Sequence, residues 1–256
     1  MDAKKRLTLV VLGIIIMLPV VTTGCFKKGN EDPFMSMYTR KARMAGTWKF
    51  AETESFIRSD IDGQNVILTT TTSNDTKWTQ KIEIEASITS SDSTIIYTGT
   101  VKQDESYLRF TKHGTFFENF VYEYIIEDYN EDTETTTKRR YYKSSYSTGT
   151  WNFLAGVDDY KNKERVALVY EVITSHDLYG ITTIRDDDEE ATAIESIQYI
   201  RDSSWYYANG EHSMVWELLG LKNKEVKMHR PVYNKFSSTN GSIITEQGYY
   251  NQRLTR

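Results

Sequence analysis

The sequence predicts an all-β protein, an antiparallel meander that closes into a barrel, with at most one short helix. Apolar residues recur with period two more often than with period 3.6, which is the alternation of a half-buried strand. The composition, with 18 Tyr, 10 Phe and 5 Trp against 3 Pro, suits pleated strands better than helices. Turn dipeptides separate the alternating runs at short intervals, as in a meander.

The first 25 residues have the organisation of an export signal. Basic residues at positions 4–6 precede an apolar run of 15 residues, Leu7 to Val21, and then "TTGC". A membrane-spanning helix needs about 20 apolar residues, so this run favours a cleaved signal. The ending Gly24-Cys25 resembles the lipobox of bacterial lipoproteins, which are cut before the acylated Cys, although Thr22 stands where that pattern has Leu, Val or Ile. We expect residues 1–24 to be the signal peptide.

Cys25 is the only cysteine of the chain, so no internal disulfide can form. The alternative of a buried thiol is disfavoured, because Cys25 lies between the apolar run and the polar segment "FKKGNED". The lipobox resemblance implies that Cys25 carries two or three acyl chains, palmitate among them, and two chains suffice for stable membrane anchoring. Residues 25–42 are then a lipidated cysteine and a flexible tether, since they mix charge, Gly and Pro without periodicity.

The net charge of the chain excludes one class of partner. Removing residues 1–24 leaves 28 basic against 35 acidic side chains, which changes the net charge from −5 to −7. An acidic chain argues against nucleic acid as a partner and against electrostatic attraction to anionic lipid. The membrane contact is therefore expected to come mainly from the acyl chains.

From position 43 the chain reads as successive strands. Apolar and polar residues alternate over 81–88, and 116–126 carries one aromatic face that only Glu118 interrupts. The run "VALVYEVI", 166–173, is apolar on nearly both faces, as in a more central strand. Asp-Gly at 62–63 and Asn-Gly at 209–210 and 240–241 predict tight hairpins. The segment 186–205 fits a strand, with a short helix as the alternative.

The order of short motifs resembles the lipocalin-like outer-membrane lipoproteins of the Bacteroidota. "GTWKF", 46–50, resembles the Gly-x-Trp signature of the first lipocalin strand. A hairpin over Phe110 to Phe116, the echo "GTWNF" at 149–153, and a late hairpin over Trp216 to Met228 follow in the same order. The features after the two GTW segments do not align with each other, which favours one expanded barrel over 43–256 rather than two small ones.

The resemblance also implies a seal at one mouth of the barrel. In lipocalins the first-strand Trp packs beneath an Arg from the end of the chain, here Trp48 and Arg253. Such a cation–π contact contributes about 0.5 to 2 kcal/mol. The alternative is that Trp48 is an ordinary core aromatic and that Arg253 is a solvated charge.

The sequence contains no constellation typical of an enzyme, a metal site or a cofactor site. The four His are far apart, and neither a Gly-x-Ser-x-Gly elbow nor a Gly-rich phosphate loop is present. "RDDDEE", 185–190, lacks the spacing of a calcium loop and reads as a solvated loop. Adjacent aromatics at 141–142, 205–207 and 249–250 should place one ring inside the barrel and one outside. No ligand-binding residue is identifiable.

Two functional classes remain. In the first, the barrel binds a small apolar or carbohydrate ligand, and the lipid on Cys25 holds the protein at the outer membrane. In the second, the protein is a non-enzymatic interaction module of the cell envelope with a packed interior. An eight-stranded barrel accommodates either packed side chains or one small ligand, so fold alone does not choose between them.

Overall fold

The computed structural model describes residues 40–62, 65–86, 93–132, 135–154, 164–185, 193–238 and 241–256. These residues form one short helix and twelve strands. The elements are α1 (Arg40–Met44), β1 (Gly46–Ile61), β2 (Asn65–Asn74), β3 (Lys77–Ala86), β4 (Ser93–Val101), β5 (Tyr107–Phe110), β6 (Thr115–Asn130), β7 (Thr135–Leu154), β8 (Arg165–Arg185), β9 (Ala193–Tyr206), β10 (His212–Leu221), β11 (Glu225–Ser237) and β12 (Ile243–Thr255).

The strands belong to one sheet that closes on itself, which confirms the predicted all-β barrel. In the order β1-β2-β3-β4-β6-β7-β8-β10-β11-β12 each strand pairs with the next, and β12 pairs with β1. All of these pairings are antiparallel, as a meander requires. The pairing of β8 with β10 completes the ring of ten strands. Both GTW segments lie in this sheet, on β1 and β7.

The short strand β5 closes a smaller ring inside the larger one. It pairs with the start of β1, where Gly46 faces Phe110, and with the start of β6, where Phe110 faces Phe116. The smaller ring therefore has eight strands and omits β2, β3 and β4. We call the region that it encloses the closed end. Its core consists of side chains that are almost fully buried, among them Trp48, Phe50, Leu108, Phe110, Phe116, Trp151, Leu168, Trp216, Leu218 and Leu254.

Beyond the closed end the sheet divides into two walls. Strands β4 and β6 pair only over Gly99–Val101, and β10 and β11 pair only over Glu217–Leu221. The first wall consists of β11, β12, β1, β2, β3 and β4, and the second of β6, β7, β8 and β9. At the β4–β6 junction a Cβ on Gly99 would lie 2.0 Å from the carbonyl oxygen of Glu123, so the backbones approach as only glycine allows. Trp78 packs there, with its ring centroid 4.4 Å from that of Tyr122.

The segment with two predicted structures, 186–205, is a strand where the structure describes it. Strand β9 begins at Ala193, and residues 186–192 lie outside the described residues. The prediction of a hairpin at Asn209-Gly210 is wrong. Both residues have positive φ, 52° and 79°, but β9 and β10 pair with successive parts of β8 rather than with each other. The turn therefore carries the chain along one edge of β8.

The folded part of the chain starts earlier than the predicted tether boundary. Residues 25–39 lie outside the described residues, but Arg40–Met44 is helical and belongs to the barrel. Met44 is fully buried in the core, and Arg43 donates a hydrogen bond to the carbonyl oxygen of Leu221 (2.5 Å). Residues 40–42 therefore belong to the folded domain as part of α1, and not to the tether. Within the described residues, no helix has the length and apolar character needed to cross a membrane.

Trp48 is fully buried and is covered by an arginine, but that arginine is Arg256. The Arg256 guanidinium carbon lies 4.1 Å from the Trp48 ring centroid, and its Nη2 donates to the carbonyl oxygens of Arg43 and Ala45 (2.7 and 2.6 Å). The prediction that Arg253 covers Trp48 is wrong. Leu254 faces inward opposite Phe50, so Arg253 faces outward, where its Nε lies 2.9 Å from Glu52 Oε2. Trp48 Nε1 donates to the carbonyl oxygen of Met44 (2.8 Å).

We expect Arg256→Ala to lower the free energy of unfolding by about 1 to 3 kcal/mol, since it removes a cation–π contact and two charged hydrogen bonds. Arg253→Ala breaks a solvent-exposed pair and should cost less than about 1 kcal/mol. Urea unfolding followed by tryptophan fluorescence measures both variants. An equal or larger loss for Arg253→Ala would contradict this assignment.

Candidate ligand-binding site

The inner face of the second wall carries a row of tyrosines. Residues paired across neighbouring strands share a face of the sheet, and the register pairs Tyr124 with Tyr141, Tyr141 with Tyr179, and Tyr179 with Tyr199. The ring centroids lie 4.7, 4.7 and 5.9 Å apart in that order. Burial raises the pKa of Tyr124 from the ordinary tyrosine value of 10 to about 12.

Polar rows separate the tyrosines from the core. The first row pairs Lys143 with Asp177 and Asp177 with Arg201, and the Lys143 Nζ to Asp177 Oδ2 distance is 3.9 Å. The second row is Ser145, Ser175 and Ser203. On the inner face of the first wall, the Thr53 and Ser73 hydroxyls lie 2.6 Å apart. The two walls therefore present hydroxyl and charged groups to the space above the core.

A cluster of polar and aromatic side chains lies where the walls meet the core. We call Glu118, Tyr170, Trp216, Arg230 and Tyr250 the inner cluster. The Tyr170 hydroxyl donates a hydrogen bond to Glu118 Oε2 (3.2 Å). The Arg230 guanidinium carbon lies 4.4 Å from the Tyr250 ring centroid and 5.4 Å from that of Trp216. The Arg230 guanidinium therefore stacks on aromatic surface at the point where β10 and β11 separate.

Two hydrogen-bond donors of the inner cluster have no acceptor among the described residues. Arg230 Nε and Trp216 Nε1 are both buried, and neither has a hydrogen-bond partner in the part of the chain that the structure describes. Trp216 as a whole is only 4% exposed. A buried donor without a partner costs about 1 to 3 kcal/mol, and more when it is charged. An acceptor supplied by a bound molecule would remove this cost.

The electrostatics of the inner cluster depend on burial. Desolvation raises the pKa of the Glu118 carboxyl, although the hydrogen bond from Tyr170 and the charge of Arg230 oppose the shift. Burial lowers the pKa of His212, and the nearby Arg230 charge lowers it further. A carboxyl with a raised pKa retains its proton to a higher pH and can then donate a hydrogen bond. The cluster therefore offers donors in a largely desolvated setting.

The aromatic pairs confirm the predicted alternation. Tyr141, Trp205 and Tyr250 face the interior, whereas Tyr142, Tyr206 and Tyr249 face outward. Trp205 remains 47% exposed and Tyr199 55% exposed, although both face the space between the walls. That space is therefore reached by solvent.

Sequence reasoning did not identify the inner cluster as a site. The available signal was a charged residue that interrupts an apolar alternation. Glu118 does so between Phe116 and Phe120, and Arg230 does so between Met228 and Val232. One sequence does not show that β6 and β11 bring Glu118 and Arg230, which are 112 positions apart, into one cluster.

Other predicted site residues are not brought together. Cys25 lies outside the described residues, as do residues 186–190 of "RDDDEE". Within the described ranges, no group of three or more His, Cys, Asp or Glu side chains is placed to hold a metal ion. Comparisons with protein-family models, curated proteins and solved structures found no match to this chain.

We expect the stability of a Glu118→Gln variant, relative to the wild type, to increase as the pH rises. Because the pKa of Glu118 is raised in the folded protein, its contribution to the free energy of unfolding is fully present below the ordinary glutamate pKa of 4.5. That contribution is lost as the pH rises through the pKa of the folded state. Glutamine carries no such loss. Urea unfolding at pH 4, 6 and 8 measures the difference between the two proteins.

Glu52→Gln is the matched control of opposite sign. The hydrogen bond from Arg253 lowers the pKa of Glu52, so its contribution is present above pH 4.5 and is lost as the pH falls. The effect should be small because Glu52 is exposed. A pH-independent difference for Glu118→Gln would contradict the buried carboxyl.

Proposed function

We propose that this protein is a membrane-anchored envelope lipoprotein that binds a small carbohydrate-like ligand between the two walls of its barrel. It acts by binding and not by catalysis. The observation that carries this proposal is the pair of buried donors, Arg230 Nε and Trp216 Nε1, that lack acceptors in the inner cluster. A ligand with hydroxyl or carboxylate oxygens supplies such acceptors.

The inner faces favour a polar ligand over an apolar one. An apolar molecule between the walls would desolvate Lys143, Asp177 and Arg201 without providing hydrogen bonds, which is costly. A sugar provides hydroxyl groups that both donate and accept. Trp205 and Tyr199 offer partly exposed aromatic rings on which the apolar face of a sugar ring can stack.

The membrane anchor in this proposal is the acylated Cys25. Its support is the resemblance of "TTGC" to a lipobox and the position of the only cysteine directly after an export-type apolar run. The outer membrane is the proposed location, in line with the resemblance to Bacteroidota lipoproteins. The anchor and the ligand site are independent parts of the proposal, so each has its own test.

Ligand binding is tested with the full chain in detergent, titrated calorimetrically with a panel of neutral and acidic oligosaccharides. Arg230→Gln and Trp216→Phe should each weaken the binding of any panel member at least about tenfold, since a lost charged or buried hydrogen bond contributes about 1.5 to 3 kcal/mol. Arg253→Gln, on the outer face, should leave the affinity unchanged. Absence of binding, or equal affinity in all variants, contradicts the proposal.

Anchoring is tested by metabolic labelling with radioactive palmitate in a Gram-negative host. The wild type should incorporate label and fractionate with the outer membrane, whereas Cys25→Ala should incorporate none. Mass spectrometry of the purified protein should show a mature chain that begins at residue 25. Label that persists in Cys25→Ala contradicts acylation at this residue.

A second candidate function is an interaction module, as one of the two classes expected from the sequence. Among the described residues, β9 pairs only with β8, and the Arg230–Ser237 part of β11 pairs only with β12. These free edges carry Tyr206 and Tyr233, which are 78% and 71% exposed. An extended peptide of a partner can add to such an edge. Binding of that kind would be insensitive to Arg230→Gln.

A further inference from the structure

The closed end of the barrel carries a group of exposed basic side chains. We call Lys41, Lys112, Lys222, Lys224 and Arg256 the basic surface. They come from α1, from the β5–β6 turn, from the β10–β11 turn and from the residue that follows β12. These elements meet because β5, β10 and β12 all run toward the closed end and finish there.

Contacts along the closed end connect these residues. The Arg256 amide donates to the carbonyl oxygen of Lys224 (3.3 Å), and its side chain donates to the carbonyl oxygen of Arg43 in α1. On the other side of α1, the Lys41 Nζ lies 5.8 Å from the Trp151 ring centroid. Trp151 in turn donates its amide to Gly114, in the same turn as Lys112 (2.7 Å). The elements that carry the basic surface are therefore connected to one another through α1 and its neighbours.

Few described carboxylates neutralise this surface. Glu164 is buried and lies 2.8 Å from Arg40, and Glu225 lies 3.3 Å from the Lys222 Nζ. The ion pairs among the described residues include none for Lys41, Lys112, Lys224 or Arg256. Residues 155–163, which lie outside the described residues, include two Asp and two Lys, so their formal charge is zero. A chain of net charge −5 thus has one positively charged end.

We propose that the basic surface docks on the anionic lipid headgroups of the membrane that holds the anchor. This inference rests on the membrane location in the proposed function and not on the ligand. The chain from Cys25 enters the barrel through α1, at the closed end. Fifteen residues span at most about 50 Å, so the anchor keeps this end near the bilayer. Basic side chains within about 10 Å of an anionic leaflet are attracted to its surface potential.

The docking fixes the orientation of the barrel. With the closed end on the membrane, the two walls and the inner cluster open toward the aqueous side, where a soluble ligand can enter. Net charge alone had argued against electrostatic attraction to lipid. The fold changes that conclusion because it gathers these basic side chains at one end, while the net negative charge belongs to the rest of the chain.

The test uses the full acylated protein in vesicles of neutral phosphatidylcholine, or of phosphatidylcholine with 30% phosphatidylglycerol, and measures amide hydrogen exchange. In anionic vesicles at low salt, exchange in residues 40–44, 111–114 and 222–224 should be at least fivefold slower than in neutral vesicles. Exchange at the far ends of the walls should be equal in both. Because headgroup attraction is screened, 0.5 M NaCl should abolish the difference without any variant.

Two triple variants of equal charge change provide the comparison. Lys41→Glu, Lys112→Glu and Lys224→Glu together should abolish the headgroup-dependent protection. Lys81→Glu, Lys138→Glu and Lys235→Glu, placed on the walls, should preserve it. Near-ultraviolet circular dichroism checks that both variants are folded. If either variant is unfolded, the salt dependence of the wild-type protection still tests the proposal.

The outcomes separate this inference from the proposed function. Flotation with neutral vesicles reports the acyl anchor, so a wild type that fails to float contradicts the anchor itself. A wild type that floats but shows equal protection in neutral and anionic vesicles overturns the docking surface and leaves the anchor in place. Protection that survives 0.5 M NaCl, or that the basic-surface variant retains, overturns it as well.

Discussion

The structure depends on the pairing of β5 with both β1 and β6. The four residues of β5, Tyr107–Phe110, close an eight-stranded ring around the aromatic core. Without β5, β1 and β6 would have no strand between them at the closed end. Each described strand of this ring pairs with a neighbour on both sides at the closed end, so none of them has a free edge there. Because the core is complete within this ring, the remaining lengths of the strands need not pack together, and they continue as two separate walls.

The division into core and walls explains the different environments of three tryptophan indoles. Trp48 and Trp151 lie in the closed core, each with its indole nitrogen donating to a main-chain carbonyl oxygen. Trp216 lies at the boundary, and its indole nitrogen has no partner among the described residues. Trp216 Nε1 and Arg230 Nε, two of the buried polar atoms without partners among the described residues, therefore lie at the floor of the space between the walls. A ligand with oxygen acceptors would complete their hydrogen bonds.

Sequence patterns predicted strands well where the alternation was long, and predicted their neighbours poorly. The alternation at 116–126 correctly placed Glu118 on the same face of β6 as Phe116 and Phe120. It gave no information on Arg230, because the proximity of β6 and β11 follows from ring closure. The Asn209-Gly210 dipeptide had the positive φ values of a hairpin turn, yet β9 and β10 lie end to end along β8. Local chemistry determines a turn but not which strands it joins.

The sequence by itself determined the all-β class and the two faces of the strands with a long alternation, because alternation and composition are local properties. Only the tertiary structure decided that Arg256 rather than Arg253 covers Trp48. Leu254 faces inward in β12, so its neighbour Arg253 faces outward. The tertiary structure also decided where the charge lies. Net charge is a sum over the chain, whereas the basic surface arises from residues up to 215 positions apart that the closed ring brings to one end.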